Sequence, residues 1–225
     1  MSTKNDKKEI GSYDQLKDMG SVVLSGKKNK IFCLTIIGEI EGHTVLSEQT
    51  KTTKYEHVIP QLVAIEEDPE IKGLLIILNT VGGDVEAGLA IAELISGMKK
   101  PTVSLVLGGG HSIGVPLAVS ADYSFIASSA TMTVHPVRMN GFVIGVPQML
   151  NHFQRMQERI TDFVVKNSTV SKEKFTKLLM HTGDMVTDIG TVLDGKNAVE
   201  CGIINSLGTL GDALDKLYEM IDLEV

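Results

Sequence analysis

Tryptophan is absent from this chain, and aromatic residues together make up 4% of it. That scarcity counts against the base-stacking surfaces that read single-stranded RNA. Clustered positive charge is scarce too. Lys27-Lys28-Asn29-Lys30 reads as a solvated turn, and 28 Asp+Glu outweigh 21 Lys+Arg to a net charge of −7. Nucleic acid and anionic membrane surfaces are therefore not expected partners. The two cysteines, Cys33 and Cys201, lie outside any CxxC. They read as buried free thiols in a reducing compartment rather than as a disulfide. No apolar run approaches the ~20 residues of a membrane span, and Met1 to Lys8 lacks the apolar segment of a signal peptide. The expectation is a cytoplasmic protein without a membrane span. None of the 6 histidines sits in HExxH or a Cys/His cluster, and neither GxxxxGK[ST] nor GxGxxG occurs. No metal and no cofactor are expected.

What is present is glycine (22), methionine (10) and 43% hydrophobic residues over 225 positions, enough for a core without staples. Residues 1–28 are polar and lysine-rich, and are expected to form a flexible arm with at most a short strand at Val22-Val23-Leu24. Residues 29–225 are expected to form one domain. Lys30 to Ile40 is a predicted strand, and Glu41 to about Tyr55 is polar and reads as irregular at first. Val58, Ile59, Leu62, Val63 and Ile65 make a helical stripe, and Pro60 suggests a helix beginning near itself. Gly73 to Asn79 and Thr102 to Leu107 are all-apolar runs of the kind buried on both faces of a parallel sheet. Tyr123 to Ala127, Thr131 to Val134 and Ile203-Ile204 are further predicted strands. Helices are predicted at Val85 to Met98, Ser112 to Ala121, Ser171 to Leu179 and Thr209 to Met220. Val146 to Asn167 is long and amphipathic. Buried strands alternating with helices define an α/β fold with parallel strands.

Three constellations carry chemistry. Gly110-His111-Ser112-Ile113-Gly114 matches G-x-S-x-G, a nucleophile turn between strand and helix. Such a pentapeptide also marks ordinary turns, and the flanking elements favour the functional reading. His135, in Thr133-Val134-His135-Pro136, reads equally as a hydrogen-bonded core histidine and as a general base. Asn79-Thr80-Val81-Gly82-Gly83-Asp84 reads as a plain turn, or as bare backbone N–H groups for an oxyanion. With Asp122 alone between Ser112 and His135, the order disfavours an α/β-hydrolase.

Together these residues resemble the Clp proteolytic subunit family of serine peptidases, from about Lys30 to Leu210. Asn79 to Gly83 resembles its NSPGG, with Thr80 and Val81 departing, and Glu86-Ala87-Gly88 resembles its TAG. Gly108 to Gly114 resembles its G-x-A-x-S-x-G, and Val134-His135-Pro136 its I-H-Q-P, one residue shorter. Asp194 to Asn205 resembles its S-A-x-E-A-x-E-Y-G-L-I-D. The resemblance implies a ClpP/crotonase-like α/β fold, a repeated β-β-α superhelix with a protruding handle at about 146–180. It implies Ser112 as nucleophile, His135 as base, and Gly83 and Ile113 as oxyanion-hole donors. For the third member, ungapped continuation from His135 lands on Asp184, and counting back from Ala198 falls near Asp188. Asp184 is preferred, with Asp188 the alternative. The implied activity is serine-type endopeptidase action on peptide or unfolded protein within a homo-oligomeric ring, with no ATPase partner assigned. Gly110 and His111 replace the family's small residues before the serine, and the segment after His135 departs from its glycine-rich composition. These departures resemble the divergent translocation-enhancing branch, which implies a weakly active or inactive assembly or export-assisting factor as the alternative. An acyl-CoA enzyme of crotonase type ranks third, and the Ser-His pair argues against it.

Overall fold

The computed structural model describes residues 22–25, 29–138, 144–183 and 189–223. The backbone of the sheet is β2 (Lys30–Glu41), β4 (Ile71–Gly83), β5 (Thr102–Gly110) and β6 (Tyr123–Ile126), hydrogen-bonded in that order and parallel throughout. β1 (Val22–Ser25) adds antiparallel to β2, and β9 (Ser206–Leu207) adds parallel to β6. β3 (Thr52–Lys54), at the end of the polar stretch that begins irregular, pairs with the far end of β2. β7 (Thr131–Val134) and β8 (Thr191–Asp194) form an antiparallel pair, attached to the end of β5 where Gly109 faces Thr131.

Helices cover both faces, which is why the central strands carry unbroken apolar runs. On one face α1 (Tyr55–Glu67), α2 (Val85–Ser96) and α3 (Gly114–Val119) meet Leu74, Ile76, Leu78 and Val106. On the other, α7 (Leu210–Leu223) packs Ala213, Leu217 and Ile221 against Leu75, Val103, Leu105 and Phe125. Both cysteines are buried and unpaired, and burial pushes each thiol above its ordinary range.

Several boundaries differ from the sequence reading, three of them instructively. α1 begins at Tyr55 and carries Pro60 inside it. The missing N–H costs one bond near the first turns, while burial of Val58, Leu62 and Ile65 on one face holds the helix. β4 runs past Asn79 through Gly83, because Thr80, Gly82 and Gly83 still pair with Gly38, Glu39 and Ile40 of β2. The last strand is Ser206–Leu207 rather than Ile203-Ile204. Those two isoleucines are 2% exposed core residues whose N–H groups both bond Ala198 O, so their apolarity reflects burial, not extension.

α4 (Val146–Lys166) buries Thr161, Phe163 and Val164 near its C-terminal end, and its N-terminal turns stand out from the body with Val146 and Leu150 exposed. α5 (Lys172–Leu179) returns the chain, capped by the Ser171 hydroxyl accepting from Lys174 N–H. α6 (Gly195–Glu200) is capped in the same way by Asp194.

Candidate active site

β5 ends in Gly108-Gly109-Gly110, and the chain turns within three residues into α3. At the apex Ser112 takes φ 57, the one positive φ of a non-glycine residue among the described residues. An L residue pays ~1–2 kcal/mol for that conformation. Four backbone bonds hold it: Ser112 N–H to Thr133 O (2.9 Å), His111 N–H to Thr80 O (3.1 Å), Gly114 N–H to His111 O (2.8 Å) and Val115 N–H to Ser112 O (3.0 Å). The N–H of Ile113, a 2% exposed residue, donates to none of the described residues. Buried N–H groups lacking an acceptor are rare. Gly82 lies against the elbow: a Cβ there would stand 2.6 Å from Ser112 Cβ and 3.2 Å from its Oγ.

His135 follows directly on β7. Its Nδ1 lies 2.7 Å from Pro136 O. A carbonyl oxygen can only accept, so Nδ1 carries the proton and the neutral ring has its basic lone pair on Nε2. Ser112, Ile113, Gly83 and His135 line one cavity of about 170 Å³, walled by Val85, Val115, Pro136, Ile160, Phe175 and Leu179. A second cavity of about 660 Å³ shares Gly83, Val85, Val137 and Arg138 with the first and reaches Met149, Phe153 and Met156 of α4.

Two side-chain pairs brace this region. Arg159 of α4 donates to Glu86 of α2 through both nitrogens (2.6 and 3.0 Å), tying the handle to the helix that starts beside Gly83. The guanidinium holds the Glu86 carboxyl below its ordinary range. The His111 ring sits half-buried, its Nδ1 2.9 Å from Thr133 Oγ1. Burial draws His111 below the usual imidazole range, and the charge of His135 acts in the same direction.

Both candidate acids, Asp184 and Asp188, lie outside the described residues. The chain flanking them is close to the site. Thr182 bridges Ile189, Gly190 N–H donates to His181 O at 2.8 Å, and a Cβ on Gly190 would lie 2.8 Å from His135 Cβ. Ser112, His135, Gly83 and Ile113 are therefore brought to one cavity, and Gly190 lies against His135. Sequence reasoning missed Thr133 and the Pro136 carbonyl. A carbonyl leaves no residue-type signal, and Thr133 looks like any strand threonine. Among the described residues no group of three or more His, Cys, Asp or Glu could hold a metal ion. No described helix is long and apolar enough to cross a membrane.

A parallel α/β sheet with a small serine-bearing turn between strand and helix is the ClpP class of fold. The chain belongs to the Clp protease family, whose profile matches residues 26–210. It is 56% identical over 216 residues to the translocation-enhancing protein TepA of Halalkalibacterium halodurans, covering 96% of this chain and 84% of that one. More distant are ATP-dependent Clp protease proteolytic subunits. That of Leuconostoc citreum is 27% identical over 131 residues (56% of this chain, 59% of the relative). That of Lactococcus lactis subsp. cremoris is 26% identical over 157 residues (67% and 74%).

Proposed function

We propose that this chain is a serine-type endopeptidase that cleaves peptide bonds by Ser112–His135 nucleophilic catalysis. The observation that carries the reading is one cavity holding a strained serine elbow, an Ile113 N–H that donates to none of the described residues, and a histidine whose Nδ1 faces a carbonyl oxygen. Ser112 Oγ attacks the scissile carbonyl as His135 Nε2 takes its proton, and the N–H groups of Gly83 and Ile113 receive the oxyanion. His135 then gives that proton to the leaving amine, and a water repeats the sequence to release the acyl group. The active form is a homo-oligomeric ring built on α4 and α5. Exposed Val146 and Leu150 on the handle, and relatives named as proteolytic subunits, support this. The wild-type chain is expected to take up one fluorophosphonate per protomer and to sediment as an oligomer at micromolar concentration. A monomer would overturn the ring.

The third member of the triad is proposed as Asp184, with Asp188 the alternative. A carboxylate-to-amide change at the acid of a Ser-His-Asp triad costs about 10⁴ in rate. Asp184→Asn is expected to approach that loss in peptide hydrolysis, and Asp188→Asn to be nearly silent. The reverse pattern transfers the role to Asp188. If both are silent, hydrolysis runs on the Ser112–His135 dyad, with a water in the third place.

A second reading is a weakly active assembly or export-assisting factor, to which the departures from the family pattern at Gly110 and His111 point. The relative named as a translocation-enhancing protein fits the same reading. A correctly folded wild-type chain that takes up no fluorophosphonate would decide for it.

A further inference from the structure

Nucleophile and base sit on separate elements here. Ser112 is on the β5–α3 elbow and His135 follows β7. Their relative placement therefore depends on what joins elbow to strand. Thr133 is held by two consecutive elbow residues: its carbonyl accepts from Ser112 N–H at 2.9 Å, and its hydroxyl lies 2.9 Å from His111 Nδ1. From the other side it is held in register opposite Val192 of β8. Space for the imidazole is built in. A Cβ at position 109 would lie 2.6 Å from His111 Nε2, so the ring fits because Gly109 has no side chain. Burial lowers the pKa of that ring and so favours its neutral form.

We propose that His111 is a positioning residue, latching Thr133 so that β7 holds the left-handed Ser112 elbow and the His135 base at their working separation. The proposal rests on Ser112 being the nucleophile. His111 touches neither substrate nor reacting atom in this role. It acts through Thr133, on the amide of Ser112 and on the strand that carries His135. The side-chain contact reinforces the Gly109–Thr131 pairing and the Ser112–Thr133 backbone bond at the point where a small displacement would cost most.

The test uses the full-length chain, with a fluorophosphonate as probe and hydrogen exchange at the Ser112 amide as a second readout. Thr133→Val keeps the shape and removes the hydroxyl. A hydrogen bond of ordinary net strength corresponds to about fivefold in rate, so this variant is expected to slow capture about fivefold or more and to speed exchange at Ser112. Thr133→Ser keeps the hydroxyl and is expected to stay within about twofold of wild type. His111→Ala behaves like Thr133→Val, and combining the two slows capture no further, because both remove one contact. His111→Asn, whose amide reaches the place of Nδ1, recovers most of the rate. Gly109→Ala leaves both partners present but displaces the ring, and is expected to reproduce the loss. Wild-type capture by Thr133→Val and Gly109→Ala, with Ser112 exchange unchanged, would overturn the latch. If the wild-type chain captures no probe, the peptidase reading fails. Exchange at the Ser112 amide in Thr133→Val then decides the latch by itself.

Discussion

Ser112→Ala is expected to lose all covalent capture by a fluorophosphonate and, in peptide hydrolysis, on the order of 10⁶ in turnover, as when the nucleophile of a triad is removed. Binding is expected to survive, because the cavity walls are untouched. Ser112→Gly separates chemistry from strain. At φ 57 glycine avoids the ~1–2 kcal/mol that an L residue pays. It gives back part of that through a more flexible unfolded chain. The glycine variant is therefore expected to melt higher than the alanine variant by roughly 2–4 °C, the equivalent of about 1 kcal/mol in a chain of this size. Calorimetry of the two inactive variants reads the difference directly. Equal melting temperatures would mean that the elbow is not strained. Persisting label on Ser112→Ala would move the nucleophile elsewhere.

Gly83→Ala is expected to be the most damaging single methyl group near the site. Its φ is +144, and a Cβ there would stand 2.3 Å from Ile40 O and 2.6 Å from Ile40 N. Both are backbone atoms of β2, which cannot swing aside as a side-chain tip can. Backbone strain and overpacking together are expected to cost about 3 kcal/mol, a fall of roughly 6–12 °C in melting temperature. Any relief must come from separating β2 and β4 where Gly83 lies, so capture by fluorophosphonate is expected to fall about 10²-fold or more with the oxyanion donor displaced. Gly97→Ala is the control. It ends α2 with φ −95, and its Cβ would come no closer than 3.2 Å to Glu93 O. A Gly83→Ala chain with unchanged melting temperature would count against the tight β2–β4 contact.

The strands and the serine elbow were legible because burial on both faces writes itself as continuous apolar runs, and because Gly110 to Gly114 leaves a serine between small residues. The glycines themselves were harder to read. Gly82-Gly83 and Gly108-Gly109-Gly110 look like turns, yet both runs extend strands β4 and β5. Their glycines are dictated by backbone contact across the sheet and by neighbouring side chains, as when Gly108 lies against Asn79, whose Oδ1 accepts from Gly109 N–H at 3.0 Å. A local pattern cannot carry such long-range reasons. Ile203-Ile204 failed for a related cause, since two β-branched residues mark burial as readily as extension. The partner of His135 Nδ1 was out of reach altogether. Every residue has a carbonyl, and only the fold decides which one faces the imidazole.

Cys33 and Cys201 are 8% and 9% exposed, and burial disfavours the thiolate in each. Since the thiolate is the reacting form, the folded chain is close to silent toward maleimides. A cysteine introduced on the outward side of the handle, at Gln154 for example, would then be the dominant reactive thiol of each protomer. If the proposed ring forms, spin labels placed there would measure the spacing between neighbouring handles by dipolar coupling; a monomer would show no such coupling.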